Sequence, residues 1–116
     1  MNMNLLIVED NFNMRNLIKD LFAQVFKNIY ECDDGSEALK SYTINQPDWV
    51  FMDIKMKEMD GITAAKEIIS NFPDAKILMV TDFDDDDFRK AASKSGAIDY
   101  VLKENLEVIF DIINNK

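Results

Sequence analysis

The chain has 116 residues, with no histidine, one cysteine (Cys32), two prolines and three glycines. Without histidine, catalytic triads that use an imidazole and His-ligated metal sites are excluded. A single cysteine cannot build an internal disulfide framework or a cysteine-based zinc site. The sequence also lacks an apolar run near the roughly 18 residues that a membrane-spanning helix needs, so we expect no membrane span.

The N-terminus lacks the basic segment of a secretory signal peptide, and the apolar run at residues 5–8 is too short for one. We therefore expect a reducing, cytoplasmic setting. Acidic residues number 22 and basic residues 13, which gives a net charge of -9. This balance disfavours direct nucleic-acid binding, which needs clustered cations, and favours cationic partners or metal ions. The length predicts one domain over residues 1–116.

Short apolar runs alternate with helical patterns along the chain. The runs are mostly continuous, as in strands covered on both faces, and fall at residues 5–8, 29–30, 49–52, 77–80 and 100–102. Apolar residues at helical spacing follow each run: Met14, Leu17, Ile18, Leu21, Phe22 and Val25; Ala38, Leu39 and Tyr42; Ile62, Ala65, Ile68, Ile69 and Phe72; Phe88, Ala91 and Ala92; and Leu106, Ile109, Phe110 and Ile113. This alternation predicts an α/β fold, a (βα)5 doubly wound parallel sheet with right-handed crossovers and helices on both faces.

Capping and breaking residues agree with these elements. Helix N-caps are predicted at Asp10 or Asn11, Asp33 or Asp34, Asp60 and Asp84. Pro47 and Pro73 fall in helix-to-strand connections, and Gly96 suits a left-handed C-cap of the fourth helix.

Polar side chains follow four of the five predicted strands: Glu9 and Asp10 after the first, Asp53 after the third, Thr81 after the fourth and Lys103 after the fifth. Because the carboxyl ends of parallel strands share one edge of the sheet, we expect these groups to converge. Neighbouring carboxylates repel unless a hard cation such as Mg²⁺ lies between them. The set predicts a phosphoryl-transfer centre with an aspartate nucleophile.

Each of these residues also has a simpler interpretation. A lone Asp after a strand is most often a helix cap, a lone Lys is usually solvated, and Thr81 alone suits a turn. The combination at strand ends of one fold favours the functional interpretation.

Four segments make the sequence resemble the receiver domain of bacterial two-component response regulators: residues 5–11, 52–61, 77–81 and 96–103. The resemblance extends from about Asn4 to the last helix, and it implies a flavodoxin-like (βα)5 fold with strand order 2-1-3-4-5. It implies that Asp53 is the phosphoacceptor, and that Glu9, Asp10, Asp53 and the backbone carbonyl of Lys55 form a Mg²⁺ site.

The resemblance also implies that Thr81 and Lys103 contact the phosphoryl group and that Tyr100 is an aromatic switch residue. Phosphorylation would then shift the face formed by the fourth helix, fifth strand and fifth helix and so control partner binding. The chain is expected to be a signalling switch and not an enzyme with a separate substrate.

The chain departs from the usual family pattern at three positions. Lys57 and Glu104 stand where proline is common, so we expect a looser loop after Asp53 and no cis peptide before Glu104. Asp82 stands where a small residue is common, and we hypothesise that its carboxylate alters the lifetime of the phosphate.

The implied partners are a sensor histidine kinase or a histidine phosphotransfer protein, and either a downstream protein target or an output domain outside this sequence. A phosphorylation-dependent homodimer is a further expectation. Two other classes fit less well. A phosphatase or mutase with an aspartyl nucleophile needs an Asp-x-Asp pattern where this chain has Glu9-Asp10-Asn11, and a flavin carrier needs a phosphate loop that Glu9 and Asp10 would repel. A receiver-fold interaction module that acts without phosphorylation also stays open.

Overall fold

Five strands and five α-helices alternate along the chain in the computed structural model, which describes residues 2–115. The elements are β1 (Asn4–Val8), α1 (Phe12–Leu21), β2 (Asn28–Cys32), α2 (Ala38–Asn45), β3 (Trp49–Met52), α3 (Gly61–Asn71), β4 (Ile77–Thr81), α4 (Asp86–Ser95), β5 (Asp99–Leu102) and α5 (Val108–Asn115). Short 3₁₀ helices at Gly35–Glu37 and Lys103–Asn105 precede α2 and follow β5.

The strands form one parallel sheet in the order β2-β1-β3-β4-β5, which confirms the predicted topology. The three central strands are buried almost throughout, as their continuous apolar runs predict. Two apolar clusters cover the two faces of the sheet, one including Leu6, Met52 and Ile68 and the other including Phe22, Phe51 and Ile109. Among residues 2–115, no helix combines the length and apolarity needed to cross a bilayer.

Several helix ends match the predicted signals. Asn11, rather than Asp10, caps α1 by accepting the Met14 N–H, and Asp60 caps α3 by accepting the Thr63 N–H. Asp34, rather than Asp33, caps the 3₁₀ turn that leads into α2. Gly96 ends α4 with a φ of 100°, in the left-handed region.

Two details of the helices differ from the sequence prediction. The cap of α4 is Asp85 and not Asp84, because the Asp85 side chain accepts the Phe88 N–H while Asp84 pairs with Arg89. The apolar stripe of α1 runs to Val25, but the helix ends at Leu21. The following turns bring the chain back to the sheet edge, where the N–H of residue 27 donates to a carbonyl just before β1.

Candidate functional site

The ends of β1 and β3 place two carboxylates side by side. Val8 is the register partner of Met52, and the Asp53 N–H donates to the Val8 carbonyl over 2.9 Å. Glu9 and Asp53 therefore leave adjacent strands at the same level. Asp10 follows Glu9, and one carboxylate oxygen from each of the three residues lies within 4.8 Å of the others. The predicted convergence of these three groups is confirmed.

Glu9 is buried, with a side chain that is 2% exposed, and both of its carboxylate oxygens have partners. Oε1 lies 2.8 Å from the Lys103 Nζ, and Oε2 accepts the Asn11 N–H over 3.0 Å. The Arg15 guanidinium donates to the Glu9 backbone carbonyl over 2.7 Å. Lys103 and the Asn11 N–H thus orient the carboxylate, and Arg15 holds the backbone of the same residue.

Asp53 is also buried, and its two oxygens have different partners. Oδ1 accepts the Ile54 N–H over 2.8 Å, whereas Oδ2 lies 3.4 Å from the Lys103 Nζ. Burial, followed by the negative charge of Glu9, raises the pKa of Asp53 to about 7, and Lys103 opposes part of this rise. The chain thus holds a carboxylate whose charge is poorly compensated in the protein alone.

Lys103 supplies the buried cation of the site. Its side chain is 8% exposed and lies between Glu9 and Asp53, with Asp82 Oδ2 at 3.8 Å on the outer side. Burial alone would lower the pKa of Lys103, but the three surrounding carboxylates outweigh burial and raise it. The ammonium therefore remains charged at neutral pH.

These groups form the floor of an open cleft of about 660 Å³. Its walls come from α1, from the loop after β3 and from the loop after β4, and its lining residues are Glu9, Asp10, Asn11, Asn13, Met14, Leu17, Asp53, Lys55, Asp82, Phe83 and Lys103. Asp10 is exposed at the mouth of the cleft. The cleft can admit a phosphoryl donor to the carboxylates from solvent.

The loop of residues 54–60, between β3 and α3, forms one wall. The Lys55 ammonium lies over the rings of Phe83 and Phe88, 5.1 and 5.7 Å from their centroids. The family resemblance implies that the Lys55 carbonyl is a Mg²⁺ ligand, and the structure places Lys55 on the cleft wall. The loop is less loose than Lys57 suggests, because Asp34 accepts the N–H groups of Glu58 and Met59.

Thr81 and Tyr100 lie close to the cleft without lining it. Thr81 is fully buried, and its hydroxyl accepts the Phe83 N–H over 3.3 Å. The Tyr100 hydroxyl donates to the Phe83 backbone carbonyl, and the Arg89 guanidinium stacks on the Tyr100 ring at 4.5 Å. Both predicted switch residues thus hold the segment after β4 in its present conformation.

The donor set of the cleft suits a hard divalent cation. The three clustered groups are all carboxylates, and Mg²⁺ is typically bound through one or two carboxylates, waters and a phosphate. A bound cation would also offset the repulsion between Glu9 and Asp53 that raises the pKa of Asp53.

Sequence reasoning missed two contributors to the site, Arg15 and Phe83. Arg15 orders Glu9 and pairs with Glu31 of β2, an arrangement that depends on the neighbouring strand. Phe83 forms part of the cleft wall together with Lys55. The only local signal for Arg15 was its position, one helical turn after the Asn11 cap.

Comparison with known proteins gives a consistent result. A family model described as the response regulator receiver domain matches residues 5–114. The chemotaxis protein CheY of Bacillus subtilis is 39% identical over 100 residues, which cover 85% of this chain and 83% of that protein. The chain covers only 49% of the uncharacterized transcriptional regulatory protein YhcZ of Bacillus subtilis, at 36% identity.

A solved structure gives the same likeness. The crystal structure of the CheX-CheY-BeF3-Mg²⁺ complex from Borrelia burgdorferi contains a chain similar to this one, with 26% identity and a TM-score of 0.82. The match covers 96% of this chain and 89% of that chain.

Proposed function

Because the chain belongs to the response regulator receiver domain family and is a phosphoacceptor of two-component signalling, we propose that Asp53 is the residue that accepts the phosphoryl group. The observation that carries the assignment is the Asp53 carboxylate itself. It is buried at the floor of an open cleft, beside Glu9 and 3.4 Å from the Lys103 ammonium. The domain is a signalling phosphoacceptor rather than a classical enzyme.

In the transfer step, an oxygen of Asp53 attacks the phosphorus atom of the donor. The bond between phosphorus and the donor's leaving group breaks, and the leaving group keeps the electron pair. Asp53 Oδ1 is held by the Ile54 N–H, and Oδ2 faces Lys103, so the ammonium is placed to stabilise oxygens of the transferred group. Thr81 would add a hydrogen bond once its hydroxyl turns from the Phe83 N–H towards the phosphoryl group.

Glu9, Asp10 and Asp53, together with the backbone carbonyl of Lys55, are the groups that would hold Mg²⁺. When bound, the ion would neutralise charge on the phosphoryl oxygens. The chain's own part is to orient the Glu9 carboxylate, through Lys103 and the Asn11 N–H.

A phosphohistidine donor would lie outside this sequence, which contains no histidine. Next to the cleft, α1 exposes Phe12 and Leu17, which are 64% and 52% exposed, and Leu17 also lines the cleft. An apolar surface at the mouth of an acidic cleft suits docking of a helix that carries the phosphohistidine. We assign this donor role to a sensor histidine kinase or a histidine phosphotransfer protein.

Phosphorylation would be transmitted through Thr81 and Tyr100. Because both hydroxyls are bonded to Phe83, withdrawal of Thr81 towards the phosphoryl group would loosen the segment that Tyr100 holds. The face of α4, β5 and α5 would then change its affinity for a downstream target, an output domain or a second copy of the chain.

The test measures the intact mass of the protein after incubation with acetyl phosphate and Mg²⁺. The wild-type protein should gain one phosphoryl group, and Asp53→Asn should gain none. Asp74→Asn is the matched control, because Asp74 is an exposed carboxylate before β4, at the opposite end of the sheet.

An equal gain in Asp53→Asn would contradict the assignment of Asp53. No gain in the wild-type protein would favour an interaction module that acts without phosphorylation.

A further inference from the structure

The loop of residues 54–60 is anchored where it leaves β3. The Ile54 N–H donates to Asp53 Oδ1 over 2.8 Å, and the Ile54 carbonyl accepts the Gly61 N–H over 2.7 Å. The loop contains neither proline nor glycine, so no residue type in it fixes the backbone by itself. Its conformation beyond Ile54 depends on contacts from elsewhere in the fold.

Asp34, in the turn after β2, supplies the second anchor. Its Oδ1 accepts the Glu58 N–H over 3.0 Å, and its Oδ2 accepts the Met59 N–H over 3.2 Å and the Ser36 N–H over 2.9 Å. The residue is 6% exposed. One carboxylate therefore binds three backbone donors, two of them from a loop more than 20 residues away in sequence.

The same turn packs directly against the loop. A Cβ atom added at Gly35 would lie 2.4 Å from the Met59 carbonyl oxygen, a distance that no real side chain tolerates. Glycine at position 35 thus allows the turn to approach closely enough for Asp34 to reach both loop amides. Between the anchors at Ile54 and Glu58 lie only three residues, 55–57, and the first of them is Lys55.

We propose that Asp34 is a positioning residue of the phosphoryl-transfer site, which fixes the backbone of residues 55–57 so that the Lys55 carbonyl faces the cleft. The proposal rests on the proposed function, because it takes the Lys55 carbonyl as a Mg²⁺ ligand. Asp34 acts from outside the cleft and touches neither the phosphoryl group nor the ion. A purely local cap of the 3₁₀ turn at Gly35–Glu37 is the competing role, since the Ser36 N–H is one of its three donors.

The test compares wild-type protein, Asp34→Ala and Asp34→Asn, with Asp33→Asn as the matched control. Asp34→Asn keeps the shape of the side chain but loses one carboxylate oxygen, and Asp33→Asn removes one negative charge from the exposed neighbouring residue. Urea unfolding first confirms that each variant is folded. Two measurements follow without any phosphodonor: amide hydrogen exchange at Glu58 and Met59, and the Mg²⁺ dissociation constant from titration followed by amide chemical shifts.

We expect faster exchange at both amides and a Mg²⁺ dissociation constant raised about tenfold or more in Asp34→Ala, as for other groups that orient metal ligands. Asp34→Asn should fall between wild type and Asp34→Ala, and Asp33→Asn should match wild type. In labelling with acetyl phosphate, the Mg²⁺ concentration for half-maximal rate should rise while the rate at saturating Mg²⁺ changes little. A residue that only caps the 3₁₀ turn would not raise the Mg²⁺ concentration for half-maximal rate while leaving the rate at saturating Mg²⁺ unchanged.

An unchanged Mg²⁺ dissociation constant in folded Asp34→Ala, or in Asp34→Asn if the alanine variant does not fold, would overturn the proposal. Failure of the proposed function looks different: the wild-type protein would take up no phosphoryl group, whatever the ratio of Mg²⁺ dissociation constants.

Discussion

Glu9, Asp53 and Lys103 form a group of three charges that the fold withdraws from water. Side-chain exposure is 2% for Glu9, 7% for Asp53 and 8% for Lys103. Desolvation of such groups costs several kcal/mol per ion, and only close opposite charges offset it. Among residues 2–115, Lys103 is the single cation paired with the two buried carboxylates, so these residues leave negative charge poorly compensated. This imbalance is a physical reason for the site to attract a cation.

Replacing Lys103 by methionine should expose this imbalance. Lys103→Met removes the cation from beside two buried carboxylates, and we expect the free energy of unfolding to fall by about 3 kcal/mol at neutral pH without Mg²⁺. Urea unfolding measures the change. Lys19→Met is the control, because Lys19 pairs with Glu31 at 3.1 Å on the surface, where such pairs contribute about 0–1 kcal/mol. Similar losses in the two variants would contradict the account.

Asp34 should make stability depend on acidic pH. Burial alone would raise its pKa, but the N–H groups of Glu58, Ser36 and Met59 outweigh burial and lower the pKa to about 2. A carboxyl group whose pKa is lower in the folded state stabilises the fold above its unfolded pKa, here 3.8, and this contribution is lost as the pH falls towards 2. Urea unfolding is measured between about pH 5 and about pH 2. Over this range the free energy of unfolding should fall more steeply in the wild-type protein than in Asp34→Asn. Parallel curves would contradict the assigned pKa.

Individual residues differed in how well the sequence predicted them. Asp10, Asp53 and Lys103 were identified because each follows an apolar run, and parallel strands bring such positions to one edge. Asp34 was recognised only as one of two candidate caps. Its bonds to Glu58 and Met59 join segments that no local pattern relates.

At the scale of elements, α4 shows what the acidic run at residues 84–87 does. Asp85 caps the helix, and Asp86 and Asp87 lie in its first turn, where negative charge interacts favourably with the helix dipole. Asp84 lies before the cap and pairs with Arg89, whose guanidinium also stacks on Tyr100. The run thus defines where α4 begins and ties its first turns to β5.

Alanine substitutions at the two neighbouring positions distinguish the cap from the ion pair. Asp85→Ala removes the acceptor of the Phe88 N–H, and we expect a loss of about 1 kcal/mol in the free energy of unfolding. Asp84→Ala removes an ion pair whose carboxylate is 70% exposed, and we expect less than about 0.5 kcal/mol. Urea unfolding provides both values. A larger loss in Asp84→Ala would mean that the helix begins one residue earlier.

The sequence predicted element types better than element ends. Apolar runs identified all five strands. The long runs of β1, β3 and β4 reflect burial on both faces, whereas the edge strands β2 and β5 are only partly buried. The stripe through Val25 overestimated α1, since Phe22 is buried whether it lies in the helix or in the turn after it. Apolar spacing indicates which residues are buried, not where a helix ends. Several neighbouring aspartates can each serve as an N-cap, so tertiary contacts determine where the helix begins.

At the scale of the whole molecule, the strand order makes the site possible. β2 and β3 lie on opposite sides of β1, so the strand order reverses between β1 and β3. Glu9 and Asp53 extend from the ends of these two neighbouring strands. β4 and β5 bring Asp82 and Lys103 to the same edge. The repeated strand–helix pattern predicted a parallel sheet, whereas the strand order came with the family resemblance. The distances within the site depend on loops whose paths the pattern does not specify.

The central claim is that Asp53, among three clustered carboxylates, carries the phosphoryl group. Borohydride reduces an acyl phosphate to an alcohol, so protein treated with acetyl phosphate and Mg²⁺, then reduced and digested, reports the modified residue by tandem mass spectrometry. The account predicts homoserine at position 53 and unmodified Glu9 and Asp10. Reduction at Glu9 or Asp10, with Asp53 intact, would contradict it.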